Sequence, residues 1–419
     1  MKKTHLVPVA AFTVGAALVL TGCGGSSSSA GGDDKTVVVD MWAGSADDTK
    51  ALQAQIDVAK KQNPDLKIEL RTAPWNDFFT KLTTNMASGN MACVTGMNSG
   101  MLSSYTAGFQ KLTADDLKTA GLKEGDFASG TTEILKNKGE LYGLPFDTAT
   151  MLVYYNADQL KAAGAADPKP GWTFDDFEKT AKAATRDGKQ GFAVGMGDFQ
   201  WQALPIAKAG VQPATQDGKL QLTDKKFSDA ATWYAGLVTD QKVALPVASA
   251  SDGGWGEDQY SNGNAAMAVD GTWNAVSYLK NEAGFTAGMA PLPGDGKDSL
   301  SLILGSGYGL SKTCKNKDAA LKVLGSLLSK DSQDYIASSG RSYPARTESQ
   351  PLYFESIDEK YRAQVEEVFK AAFANVQGQY VTDNWSKVGS YIQPQLVSVY
   401  NGQTPMADVL KSAQEQFGK

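Results

Sequence analysis

From Lys35 to Gly89 the apolar residues switch repeatedly between strand spacing and helix spacing, and this order of elements limits the possible folds more than any other feature of the chain. Thr36-Val37-Val38-Val39-Asp40-Met41-Trp42 is a β-branched run ending at a Gly/Ser/Asp turn, and helical spacing follows from Thr49 to Gln62. Leu66 to Leu70 alternates strictly, and Asp77 to Ser88 places Phe78, Leu82 and Met86 at helical intervals. Strand, helix, strand, helix in this order predicts an α/β fold, a sheet covered by helices. The pattern resumes downstream with a helix over Thr173 to Thr185, opened by Thr173 with Asp176 three residues later in the manner of a capping box. A strand near Gln190 to Val194 and a helix from Ser228 to Asp240 follow. Residues 265–270 and 302–310 read as strands, and helices over Lys317 to Leu328, Ile357 to Ala374 and Met406 to Phe417 close the chain. Nothing recurs at the period of a solenoid. The 419 residues exceed one compact core and predict about two to three domains.

Ahead of this body, residues 1–23 read MKKTHLVPVAAFTVGAALVLTGC, a short basic start and an apolar run from Leu6 to Leu20. That is the layout of a secretory signal, and Pro8, Thr13 and Gly15 interrupt it too often for a stable spanning helix. Leu20-Thr21-Gly22-Cys23 resembles the lipobox of bacterial lipoproteins, in which the cysteine is diacylated and becomes the new N-terminus. The resemblance implies a signal peptide over 1–22, lipidation of Cys23 with palmitate-type chains, and a body held at the outer face of the bacterial cell membrane. The competing reading is an ordinary signal with a chance cysteine. The Gly/Ser-rich stretch within residues 23–35 is a flexible tether.

Composition then excludes whole classes of chemistry. The chain carries 40 basic and 46 acidic residues; loss of Lys2 and Lys3 with the leader leaves 38 against 46, or −8. Nucleic acid is not an expected partner, because phosphates call for a clustered basic face. His5, the single histidine, also lies in the leader, so a processed chain has no imidazole for a Ser-His-Asp triad, a Cys-His dyad or an ordinary zinc site. No metal and no cofactor is expected. Cys93 and Cys314 remain, in a compartment that permits a disulfide; bridged or as two small buried thiols, they show no metal spacing.

Several segments in sequence order resemble the extracellular solute-binding proteins of ABC importers, in the sugar-binding group related to maltose-binding protein. They are Lys81-Leu82-Thr83-Thr84-Asn85-Met86-Ala87-Ser88-Gly89, Leu141-Tyr142-Gly143-Leu144-Pro145-Phe146-Asp147 leading to Val153-Tyr154-Tyr155-Asn156, Gly263 to Trp273, and Ser311 to Leu328. One departure follows Gly89, where the family places Pro-Asp and this chain has Met91-Ala92-Cys93. The resemblance implies a periplasmic-binding-protein-like fold of type II: two discontinuous α/β lobes, residues 36–146 with 291–341 and residues 147–290 with 342–419. Hinge crossings are expected near Asp147 to Met151, Met289 to Pro293 and Ser339 to Pro344. It also implies a monomer that closes around a carbohydrate and delivers it to the transmembrane subunits of an ABC permease.

A sugar presents a ring face of C–H groups and a rim of hydroxyls, so a neutral sugar calls for aromatic platforms with fixed donors and acceptors. Trp172, before a capped helix, and Trp233, inside an apolar helix pattern, read as core. Trp42 ends the first strand, at the carboxyl edge where α/β folds place ligands. Trp201, Trp273 and Trp385 fall close to second-lobe positions that stack on sugar in the family; Trp255 and Trp75 are further candidates. Asp147, in a crossing segment, is the first polar candidate, with a hinge or capping carboxylate as its other reading. Asp198, Gln200 and Asp258 stand on loops, as binding groups or solvated turn residues. Ser45 and Asp47 follow the first strand and face the cleft in the family's arrangement. Gly307 and Tyr308, within Gly305-Ser306-Gly307-Tyr308, bring backbone close to a ligand or serve plain strand packing. Arg341, near the third crossing, offers a fork to two hydroxyls or a carboxylate.

Other classes leave weaker traces. A glycoside hydrolase needs two suitably spaced carboxylates, and no short motif singles out such a pair. Neither a Walker A sequence nor a Gly-x-Gly-x-x-Gly fingerprint is present. An enzyme is therefore not expected. A non-sugar solute such as a peptide or a polyamine is the alternative, with Asp147, Asp198 and Asp258 as acids for a polycation.

Overall fold

The structure is a computed structural model that describes residues 35–249, 254–281, 283–296 and 299–419. The signal peptide, the Cys23 lipidation site and the tether up to residue 34 lie outside the described residues. Thr36–Trp42 is the second strand of a five-stranded sheet, flanked in parallel by Lys67–Ala73 and Val94–Asn98. Ser306–Leu310 continues the sheet antiparallel and Leu144–Pro145 closes it. Val37, Val39 and Met41 point to one face and have no solvent exposure. At about 1.5–3 kcal/mol per fully buried side chain, this alternation fixes the strand's register. The helix Ala46–Gln62 covers that face with Leu52, Ile56 and Ala59, and it starts at Ser45, whose hydroxyl accepts the Asp48 N–H.

The second lobe is built on a three-stranded antiparallel sheet in which Met151–Asn156 lies between Met267–Gly271 and Ala287–Pro291. Both neighbours are edge strands paired with it along their length, and all residues of the three strands are buried. The helix Phe174–Ala184 carries the capping box of Thr173 and Asp176. Trp172 is in the core with its Nε1 on the Pro291 carbonyl at 2.8 Å, whereas Trp233 is half-buried on Phe174 and Phe177. The segment expected as a strand at Gln190 to Val194 makes isolated bridges, Gln190 to Ala265 and Ala193 to Ala268, with the Phe192 N–H on the Val243 carbonyl at 3.0 Å, rather than a continuous strand.

The chain passes between the lobes in three places. Phe146 belongs to the first core, and Ala149 and Met151 belong to the second. On the return, Leu292, Leu302 and Leu304 still pack in the second core, so the chain enters the first sheet only at Ser306, later than the sequence suggests. The single strand expected over 302–310 is accordingly two, Ser301–Ile303 paired with Val376–Gly378 and Ser306–Leu310 in the first sheet. Gly305 lies at the break, where a Cβ would meet the Asp147 carbonyl oxygen at 2.7 Å. In the third passage Tyr343 packs on Tyr353 and Phe369, while Ala345 and Arg346 return to the first core. Cys93 and Cys314 form a disulfide across 221 residues, joining the start of one strand to the loop after its antiparallel partner. No helix among the described residues is long and apolar enough to cross a membrane.

Candidate functional site

A cleft of about 2170 Å³ separates the two lobes and takes walls from both. On the first lobe Trp42 lies at the carboxyl end of its strand, edge-on to Trp75 at 4.9 Å and Phe78 at 5.3 Å, with Phe79 and Tyr105 extending the aromatic surface. Gly44, Ser45, Asp47 and Asp48 follow on the same rim, where the strand turns into the first helix. The Asp48 carboxylate accepts the Gly44 N–H at 2.9 Å and thereby fixes that turn.

Where the lobes meet, Asp147 accepts the Ser306 N–H at 2.7 Å. Burial pushes its carboxyl up to about 6 against the opposing pull of Arg341 and of hydrogen bonds from Ser306 and Ser342. The Arg341 side chain, only 8% exposed, lies 3.7 Å from Asp48 and carries its guanidinium over the Phe146 ring. Its Nε makes no hydrogen bond within the described protein. The nearly buried cation therefore stands between two carboxylates, which leaves no unbalanced positive charge there for an anionic solute.

On the second lobe the helix Asp198–Ala209 begins at Gly197 and presents Asp198, Phe199, Gln200 and Trp201 to the cleft. Asp198 accepts Trp385 Nε1 at 2.9 Å and Gln202 Nε2, and burial raises its carboxyl to about 6 despite these donors. Trp273 stands in the turn after the strand Met267–Gly271, its ring so close over Gly271 that a Cβ there would meet it at 2.2 Å. Phe199 packs on that ring at 6.1 Å. At neutral pH both carboxylates are mainly ionised acceptors, suited to hydroxyl donors.

The structure brings Trp42, Ser45, Asp47, Asp147, Asp198, Gln200, Trp201, Trp273, Arg341 and Trp385, as well as Trp75, to this cleft. It does not bring Trp255, Asp258, Gly307 or Tyr308 to the lining. Trp255 and Asp258 are on a short helix, Trp255–Ser261, which offers Gly254 and Glu257 instead, and Asp258 is exposed to solvent. Gly307 and Tyr308 lie deeper in the first sheet than Gly305 and Ser306, which do reach the cleft. A Cβ on Gly307 would meet Leu135 and Leu144, and Tyr308 is 1% exposed in the core with its hydroxyl toward Gln55. Plain strand packing is the reading that holds for these two.

Trp201 and Trp385, expected as stacking positions, are in helices and each only 2% exposed, so they offer edges rather than whole faces. Sequence reasoning missed Asp270, Asn274, Tyr278, Phe79 and Tyr105. A carboxylate closing the apolar run Ala265 to Val269 was the available signal for Asp270. Among the described residues no cluster of His, Cys, Asp and Glu is arranged to hold a metal ion.

The comparisons with known proteins agree with this architecture. The family of bacterial extracellular solute-binding proteins matches residues 42–334, well over half of the chain. A lactose-binding protein of Rhizobium radiobacter is 24% identical over 287 residues, 65% of this chain and 66% of that protein. A maltooligosaccharide ABC transporter solute-binding lipoprotein of Streptococcus pneumoniae is 23% identical over 382 residues, 88% of this chain and 86% of that one. An ABC substrate-binding protein from Listeria monocytogenes, solved in complex with cycloalternan, superposes with a TM-score of 0.81 at 23% identity, covering 92% of this chain and 98% of that chain. With two lobes about a cleft and a family match across both, the chain belongs to the bacterial extracellular solute-binding proteins.

Proposed function

We propose that this chain captures a carbohydrate between its lobes and hands it to the permease of an ABC importer, acting as a binding protein without catalysis. The observation that carries the reading is a cleft with aromatic walls on both lobes and two half-buried carboxylates, Asp147 and Asp198, with its nearly buried cation already balanced. Such a lining suits C–H faces and hydroxyls. Its volume of about 2170 Å³ exceeds the roughly 300–1,000 Å³ of ordinary small-molecule sites, which favours an oligosaccharide. The printed names of relatives that bind lactose and maltooligosaccharide point the same way.

Trp273 and Trp42 are assigned as stacking platforms, Trp75, Trp201 and Trp385 as flanking edges, and Asp147, Asp198, Gln200, Ser45, Asp47 and Arg341 as polar partners. Asp258 stands apart from Asp147 and Asp198, so the three acids that the sequence offers a polycation do not converge. We assign residues 1–22 as a signal peptide and Cys23 as the lipidated anchor to the outer face of the cell membrane, with the body a monomer; the lipoprotein relative supports the anchor.

A thermal-shift panel of maltotriose, lactose and mannotriose beside spermidine and a tripeptide tests the reading. A ligand at 100 times its dissociation constant stabilises by ~2.7 kcal/mol. A shift with spermidine or peptide and none with any sugar sinks it. Trp273→Ala is expected to weaken binding of the responding sugar about tenfold while the unliganded melting point stays close to wild type.

A further inference from the structure

Asp270 has no solvent exposure and no cation among its described partners, yet it is the most densely bonded carboxylate beside the cleft. It accepts from Gln200 Nε2 at 3.0 Å, Asn274 Nδ2 at 2.5 Å, the Tyr278 hydroxyl at 2.7 Å and the Gly271 N–H at 2.7 Å. A buried carboxylate held only by hydrogen bonds is costly unless all its donors are in place. Three of these donors are themselves cleft-lining side chains, and they come from separate elements: Gln200 from the helix after Gly197, Asn274 from the turn that carries Trp273, and Tyr278 from the helix Ala275–Lys280. The two halves of the second-lobe wall thus meet on one pair of oxygens behind the surface.

Resting on the carbohydrate reading, we propose that Asp270 is a positioning residue for the second-lobe half of the binding site, setting sugar affinity by locking the Trp273 turn to Gln200. It touches no sugar itself. Its oxygens bond Gly271 and Asn274, which bracket Trp273 in sequence, so the indole is fixed on both sides. Gln200 is drawn to the same carboxylate, which sets the separation between a polar contact and the platform. An amide at position 270 keeps the shape but turns one acceptor into a donor facing donors, so at least one of these side chains must let go.

The test compares wild type, Asp270→Asn and Tyr278→Phe in calorimetric titrations with whichever of maltotriose, lactose or mannotriose gives the largest thermal shift. Titrations run well below every melting point, so that only folded protein is counted. Tyr278→Phe removes one donor and keeps the ring that packs on Tyr154 at 4.6 Å. The expected result is affinity reduced about tenfold or more in Asp270→Asn, and by a smaller factor in Tyr278→Phe. A purely structural Asp270 would lower the melting point and leave the dissociation constant unchanged, and that outcome overturns the proposal. If Asp270→Asn does not fold, Tyr278→Phe decides: weakened binding supports the assignment, wild-type affinity removes it. Failure of wild type to bind any sugar in the panel strikes the carbohydrate reading itself, and this assignment goes with it.

Discussion

Asp198 lies in the second-lobe wall of the cleft with Trp385 and Gln202 donating to it, and burial holds its carboxyl at about 6, above the ordinary aspartate value near 3.9. The folded protein therefore binds more protons than the unfolded chain in the interval between, and this group's contribution is full below about 4 and is lost as pH rises through about 6. Asp147 has the same sign. Asp176, held low by the Thr173 hydroxyl, has the opposite sign and acts below the ordinary range. The melting temperature of wild type is thus expected to fall from pH 5 to pH 7, and Asp198→Asn to lose part of that slope, at most about 3 kcal/mol. An unchanged slope in the variant excludes Asp198 as a source. At this scale the sequence was uneven. Trp42 and Trp273 could be placed because each ends a strand at a cleft-facing turn. Asp198 and Gln200 were misread as loop residues because Gly197-Asp198 signals a turn and a helix start alike, and Pro205 obscures the helix that contains them.

Elements defined by long runs of one spacing were legible, as in Thr36–Trp42 and Met406–Phe417, since a strand or helix period needs only local sequence. The stretch 302–310 was not, because nothing local tells a continuous strand from two strands that leave one sheet and join another at Gly305. The disulfide was equally beyond local reasoning. Antiparallel pairing of Val94 with Leu310 brings Cys93 and Cys314 together, and that pairing is a property of the folded sheet. Bridging residues 221 apart removes much of the unfolded chain's freedom, and losing such a bond costs about 2–5 kcal/mol. Replacing both cysteines with serine is expected to lower the melting temperature by several degrees and to make it insensitive to reductant, while sugar affinity stays within about twofold, since neither residue borders the cleft. Equal melting temperatures for wild type with and without reductant count against a stabilising bond.

Across the whole molecule the lobes already touch along one flank of the cleft, where the helix Leu102–Tyr105 approaches the helix Trp385–Ile392. Ser103 Oγ donates to the Thr382 carbonyl at 2.8 Å, the Ser386 N–H donates to Ser104 Oγ at 3.3 Å, and Lys138 pairs with Asp383 at 2.7 Å. If sugar is held by the closed form, bonds made only on closure add to apparent affinity, because a ligand's pull is divided between binding and shifting the lobes. The contacts differ in weight. Lys138 and Asp383 are mostly exposed, and such ion pairs contribute about 0.2–1 kcal/mol, so Asp383→Asn is expected to change the dissociation constant by less than about fivefold. The two serine bonds are partly buried and contribute about 1 kcal/mol each, so Ser103→Ala with Ser104→Ala is expected to weaken binding up to about thirtyfold without either residue touching sugar. Small-angle scattering with saturating sugar then distinguishes the cause. Compaction on binding that survives in wild type but needs more sugar in the double variant ties these serines to closure, whereas a double variant as benign as Asp383→Asn leaves the flank as a passive contact.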